Sequence, residues 1–130
     1  MYLIDSDILI DLGRGKAAIQ QQMNRVGLSQ CVLSEISLAE LYVGVYKGKN
    51  KRQEALMHFF ENTFTAIPIT SALQTYARIR AQLELQGIRL DSFDLLIGAT
   101  ALANGYTLVT HNSRHFSRIP GLKIVDWPVD

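Results

Sequence analysis

Five short apolar runs, at residues 2–4, 31–33, 64–69, 106–110 and 123–125, alternate with longer stretches of helical periodicity, and this alternation restricts the fold more than any other feature. It predicts an α/β fold around a mainly parallel central sheet flanked by helices, because parallel neighbours need crossover connections that helices supply. Ser6 or Asp7 is expected to cap a short helix through Leu12, and a polar helix is expected over 16–26. Ser34 opens a helix to about residue 46, and the stretch 51–62 sets Leu56, Phe59 and Phe60 on one helical face. Thr70 or Ser71 is expected to cap a long helix closed by Gly87, and Asp91 or Ser92 to begin one that Gly105 ends. Sheets of this kind bind ligands beyond the carboxyl ends of their strands, which puts Asp5 and residues 110–112 where chemistry is expected.

At 130 residues, 48% hydrophobic and 19% charged, the chain suits one domain over 1–130 with a substantial core. A net charge of +1 provides no global field toward nucleic acid or membrane, so any charge signal has to be local. Cys31 is the sole cysteine, which excludes an intramolecular disulfide and a cysteine zinc cluster and suits a reducing compartment, the cytoplasm. The opening residues lack the basic lead and apolar run of a signal peptide. The uncharged window 95–113 is interrupted by Gly98, Asn104 and Gly105, so no membrane span is expected.

Acids stand at positions where solvation is poor. Glu40, in SLAELYVGVY, lies within an apolar helical stripe, and a carboxylate there has to be paired, protonated or bound to metal. Its purely structural reading is a salt bridge to a distant Arg or a place at the rim of the core. Asp5 follows Leu3 and Ile4 at the edge of a strand, and Asp94 precedes Leu95, Leu96 and Ile97 in the first turn of a helix. Each has a structural alternative as a turn, cap or dipole-complementing residue, as do Asp7 and Asp91 as N-caps, while Asp11 is expected to be solvated. Taken jointly, Asp5, Glu40 and Asp94 outnumber the internal cations available to neutralise them.

Carboxylate oxygens favour a hard cation such as Mg²⁺ or Mn²⁺. His111 and His115, four apart, are a weak zinc alternative. A divalent ion among carboxylates suits hydrolysis of phosphodiesters by activated water. The chain has no Walker A loop, no GxGxxG fingerprint and no spacing that supports a serine–histidine triad. Lys47, Lys49, Lys51 and Arg52 form a local basic cluster between two helices, and Arg89, Arg114 and Arg118 fall near the presumed active edge. These are candidate phosphate contacts, the first group reading equally as a solvated interhelix loop.

Three blocks of the chain, YLIDSDILID, SEISLAELYVGV and DSFDLLIGATALANGYTLVTHNSRHFSRIPGLKIVDW, resemble the opening strand, central glutamate motif and closing segment of PIN-domain ribonucleases, specifically VapC-type toxins of toxin–antitoxin pairs. The resemblance spans nearly the whole sequence. It implies a single PIN-like domain in which Asp5, Glu40 and Asp94 hold Mg²⁺ or Mn²⁺ and water attacks RNA. Asp7 stands where such toxins often carry Asn, so it adds charge, assists by hydrogen bonding, or caps the helix. Asn112 stands where many PIN domains have a further acid, and Asp91 is placed to compensate. The resemblance also implies a homodimer and a VapB-like antitoxin.

Two other readings remain at this stage. Asp5-Ser-Asp7 after an apolar strand is similar to the paired aspartates of haloacid-dehalogenase-like phosphatases, with Asp5 as nucleophile, although no convincing later Lys motif accompanies it. The third is a non-catalytic RNA-binding module.

Overall fold

The computed structural model describes residues 1–129, which build a five-stranded sheet of order β3-β2-β1-β4-β5. The strands are β1 (Tyr2–Ile4), β2 (Cys31–Ser34), β3 (Thr65–Ile67), β4 (Thr107–Val109) and β5 (Ile124–Val125). Every neighbouring pair is parallel, with Leu3 in register between Val32 and Leu108. The helices are α1 (Ser6–Gly13), α2 (Ala17–Val26), α3 (Glu35–Gly48), α4 (Lys51–Thr63), α5 (Leu73–Leu85), α6 (Ser92–Ala103) and the short α7 (Ser113–Phe116). The expected strands are all present: β1 as expected, β2 longer by Ser34, and β3, β4 and β5 shorter where backbone pairing stops.

Successive strand residues point to opposite faces, and the core divides accordingly. Leu3, Val32 and Leu108 join Ile79, Leu83, Leu95, Ile97 and Phe116 on the face covered by α5, α6 and α7. Ile4, Leu33 and Val109 join Ile8, Leu9, Ile19, Met23, Met57 and Phe60 on the face covered by α1, α2 and α4. Each central strand is therefore buried on both sides, which explains why it reads as a continuous apolar run. α3 straddles the two, with Ile36 against the first cluster and Leu38, Leu41 and Val45 against the second.

Capping departs from expectation in several places. Ser34 does cap α3, accepting from the Ile36 amide at 3.0 Å. α1 is capped by Asp5 rather than Ser6 or Asp7, its Oδ1 accepting from the Ser6 amide at 2.8 Å. The chain turns into helix directly at the strand end, leaving no residue free to intervene. Thr70 and Ser71 lie in a 3₁₀ turn, Ile69–Ala72, and α5 starts after it without a side-chain cap. Asp91 occupies the N-cap position of α6 yet makes no capping bond with its side chain. Among the described residues no helix is long and apolar enough to cross a membrane.

β1 is the topological switch point: the chain proceeds from it to β2 and β3 on one side, then returns to β4 and β5 on the other. Connections leave in opposite directions there and open a crevice beyond the carboxyl ends of β1 and β4. Asp5 and Thr110 are the residues that immediately follow those strands.

Candidate active site

Asp5 is held at the mouth of this crevice with 7% of its surface exposed. Its amide donates to the Val109 carbonyl at 2.9 Å, continuing the sheet by one residue. Oδ1 serves as the α1 cap, and Oδ2 accepts from the Thr110 hydroxyl at 2.8 Å. Asp7, in the first turn of α1, accepts from the His111 amide at 3.1 Å through Oδ2, while its Oδ1 is buried without a hydrogen-bond partner.

Glu40 approaches from α3, where its Oε1 accepts from Ser6 Oγ at 3.4 Å. It is not enclosed in a dry stripe, as the sequence pattern suggests. α3 directs Leu38, Leu41 and Val45 inward and leaves Glu40 exposed, at one wall of a groove of about 410 Å³ between α1, α3 and α4. Asp94 enters from the first turn of α6, with Oδ2 3.1 Å from His115 Nε2, close enough for an ion pair but without hydrogen-bond alignment.

The electrostatics show that these acids share one space. Burial raises the Asp5 carboxyl above its ordinary range, and the Asp7 charge adds to the effect. Burial also raises Asp7, against the opposing influence of the His111 amide. Glu40 is pushed up by burial and then by the charges of Asp5, Asp94 and Asp91. Asp94 is raised by burial, with His115 opposing and Asp91 and Asp5 reinforcing. Among the described residues no Lys or Arg forms a salt bridge to Asp5, Asp7, Glu40, Asp91 or Asp94. Repelling, partly desolvated carboxylates whose one ion-pair partner among the described residues is His115, beside Asp94, make a site that favours a cation.

Among the described residues no three His, Cys, Asp or Glu side chains close on one point as a ready-made metal cage. The donor set nevertheless fits Mg²⁺ or Mn²⁺, hard ions bound through oxygen; Mg²⁺ in particular keeps several waters and needs only one or two protein carboxylates. The partnerless buried Oδ1 of Asp7 is a further oxygen suited to a ligand or its waters. The zinc alternative fails on geometry. His111 is committed elsewhere, Nε2 lying 2.8 Å from Asp11 and Nδ1 2.6 Å from Asp126, while His115 faces Asp94.

The remaining candidates separate. Asp91 is exposed, makes no capping bond, and its charge acts on Glu40 and Asp94. Asn112 follows the strand end as expected, but among the described residues its only hydrogen bond to a side chain is its amide donating to Thr110 Oγ1 at 3.0 Å. Lys47 and Lys49 sit at the far end of α3, two turns or about 10 Å along the axis from Glu40. Arg52 donates to the Gly13 carbonyl at 2.8 Å and is thereby tied to α1. Arg114 is exposed in α7, and Arg89 is exposed beside Asp91. Sequence reasoning gave no role to Thr110, although a polar residue directly after a buried strand was the available signal. Asp11, expected to be solvated, is instead only 15% exposed at its side chain and bridges to His111.

Comparison with known proteins agrees with this fold. Ribonuclease VapC1 of Rickettsia felis is 36% identical over 128 residues, covering 95% of this chain and 93% of its own. The tRNA(fMet)-specific endonuclease VapC of Shigella flexneri is 29% identical and covers 97% of each chain. The crystal structure of VapBC2 from Rickettsia felis, bound to a DNA fragment from their promoter, superposes with a TM-score of 0.88 at 28% identity, covering 98% of both chains. The family model for the PIN domain matches residues 2–122, and with that span, the parallel sheet and the clustered acids in place, this chain belongs to the PIN domain family.

Proposed function

We propose that this protein is a metal-dependent endoribonuclease, the toxin of a type II toxin–antitoxin pair, that hydrolyses RNA phosphodiesters at the acid crevice. The observation that carries the reading is the grouping of Asp5, Glu40 and Asp94 beyond β1 and β4, each carboxyl raised by burial and by a neighbouring acid, with no Lys or Arg paired to them among the described residues. Its relatives support it, being named ribonucleases, and a structural neighbour is a toxin–antitoxin complex.

Asp5, Glu40 and Asp94 are assigned as holders of Mg²⁺ or Mn²⁺, with Asp91 as a further oxygen donor and Asp7 and Asn112 as supporting polar groups. The bound ion supplies charge neutralisation and a water of lowered pKa for attack on phosphorus. The protein's own contribution is placement. Thr110 and the Ser6 amide fix both oxygens of Asp5, so this carboxylate cannot swing, and Ser6 orients Glu40. Membership of the PIN domain family argues against a phosphatase with Asp5 as nucleophile. A VapB-like antitoxin as partner, a homodimeric state and a cytoplasmic location complete the proposal.

The test is cleavage of total cellular RNA with Mg²⁺ or Mn²⁺ by the wild type and by Asp94→Asn, with fragment ends mapped. The wild type is expected to cut at defined positions without leaving 2′,3′-cyclic phosphates, because water rather than the ribose hydroxyl attacks, and the variant to leave RNA intact. RNA that is bound but uncut in the presence of metal would instead establish a non-catalytic binding module. Co-expression with the product of the adjacent gene tests the antitoxin partner, and light scattering the homodimer.

A further inference from the structure

A second pocket of about 410 Å³ lies on the α5–α6 side of the acid crevice, lined by Arg80, Glu84, Ile88, Arg89, Leu90 and Asp91 among others. We propose that this pocket receives a nucleotide of single-stranded RNA next to the scissile bond, with Arg89 holding its phosphate; the inference rests on the nuclease reading above.

Three features of the pocket argue for such a ligand. Its volume falls in the range of small-ligand clefts, large enough for a nucleotide unit. Its exposed lining is mainly polar; the buried Leu83 and Leu95 lie beneath it, and the half-buried Ile88 and Leu90 supply a small apolar patch against which a ribose or a base edge can rest. Its rim is polar, and the charges there are unevenly committed. Arg80 Nε bonds Glu84 at 2.8 Å and Arg80 Nη1 bonds the Tyr76 hydroxyl at 2.7 Å, so this pair is internally neutral. Arg89 is exposed and forms no salt bridge among the described residues. Its guanidinium is the uncommitted cation of the rim, and a planar fork of donors matches a phosphate.

Asp91 is the shared wall. It lines the pocket at the N-terminus of α6, three residues before Asp94 in the first turn of the same helix, so the pocket adjoins the acids on the α6 side. A strand whose scissile phosphate lies at the carboxylates has a neighbouring nucleotide within reach of Arg89. That contact would fix which side of the cut the chain grips, making Arg89 a positioning residue.

The test compares wild type, Arg89→Ala and Arg89→Lys for binding of a short fluorescein-labelled single-stranded RNA of mixed sequence in EDTA, where no cutting occurs, across a salt series. Arg89→Ala is expected to weaken binding about tenfold and to reduce the slope of log K against log salt by about 0.7, the value for one lost phosphate contact on a single strand. Arg89→Lys should keep the slope and recover part of the affinity. With Mn²⁺ present, Arg89→Ala should raise KM and leave kcat nearly unchanged.

Absent wild-type binding, or binding and slope unaltered in Arg89→Ala, would overturn the proposal. Unaltered RNA binding together with a changed oligomeric state in light scattering would also overturn it, showing the pocket to be a protein contact. Arg89-dependent binding of RNA that stays uncut would keep the pocket and remove the nuclease reading; cleavage indifferent to Arg89 would do the reverse.

Discussion

Asp5 and Asp7 stand at the end of β1 with three of their four oxygens hydrogen-bonded, to Ser6, Thr110 and His111, whereas Glu40, Asp91 and Asp94 project from α3 and α6 with few partners and more solvent. Both groups are acidic and face one crevice, yet the fold holds them differently. At the strand end, buried donors offset part of the desolvation cost of the carboxylates and fix their positions. On the helices, position comes from packing of the apolar faces, and the carboxylates themselves carry no structural duty. The strand-end acids therefore combine structural and functional roles, while the helix acids are separable from stability.

The largest expected effect is on cleavage, and on the helix side it comes without loss of stability. Glu40→Gln and Asp94→Asn should each lower RNA cleavage about a hundredfold or more, while the thermal midpoint without metal stays the same or rises as repulsion is relieved. A substantial loss of stability in either would break the contrast between the two groups.

Asp5→Ala should abolish cleavage and also cost about 2 kcal/mol in denaturant unfolding, because it removes the α1 cap and leaves the buried Thr110 hydroxyl only its longer bond, 3.4 Å, to Asp7. Thr110→Val, nearly isosteric, sharpens the point. It removes the hydroxyl that donates to Asp5 and accepts from the Asn112 amide, with an expected cost of about 1–2 kcal/mol and weaker metal binding in calorimetry. Stability equal to wild type would show that this bond contributes little.

The smallest effect concerns pH. His111 joins α1 to the C-terminal segment through Asp11 and Asp126, and its amide holds Asp7. Burial, the largest single influence, favours its neutral ring, but hydrogen bonds to Asp126 and Asp11 and the nearby charges outweigh it and raise the group above its ordinary 6.5. A raised histidine contributes stability that is complete below pH 6.5 and lost as pH rises through its folded value. The thermal midpoint should fall by about 2–4 °C per kcal/mol lost as pH rises above that point, and Asp126→Asn should flatten the fall. An equally steep fall in the variant would remove Asp126 from the clamp.

Much of this arrangement was legible in the residues. Period and turn signals located all five strands, and Asp5 and Asp94 were recognisable from their junction positions. Glu40 was singled out because an acid interrupted an apolar helix, but its surroundings were misjudged. A stripe records which side of a helix is apolar, not whether a neighbouring helix covers it. The caps of α1 and α5 were misread for a related reason: Ser, Thr and Asp are all competent caps, and the path of the chain after the strand decides among them. The clamp of His111 between Asp11 and Asp126 joins residues too distant in sequence for any local pattern to reveal.

By itself, then, the amino-acid sequence determined the alternation of strand and helix, the two-sided burial of the sheet and the identity of the acids, because these follow from local periodicity and the cost of burying charge. Only the tertiary structure decided strand order, the switch point at β1, and which acids are tied and which are free. Those depend on contacts between segments far apart along the chain, where geometry rather than residue type selects the partner.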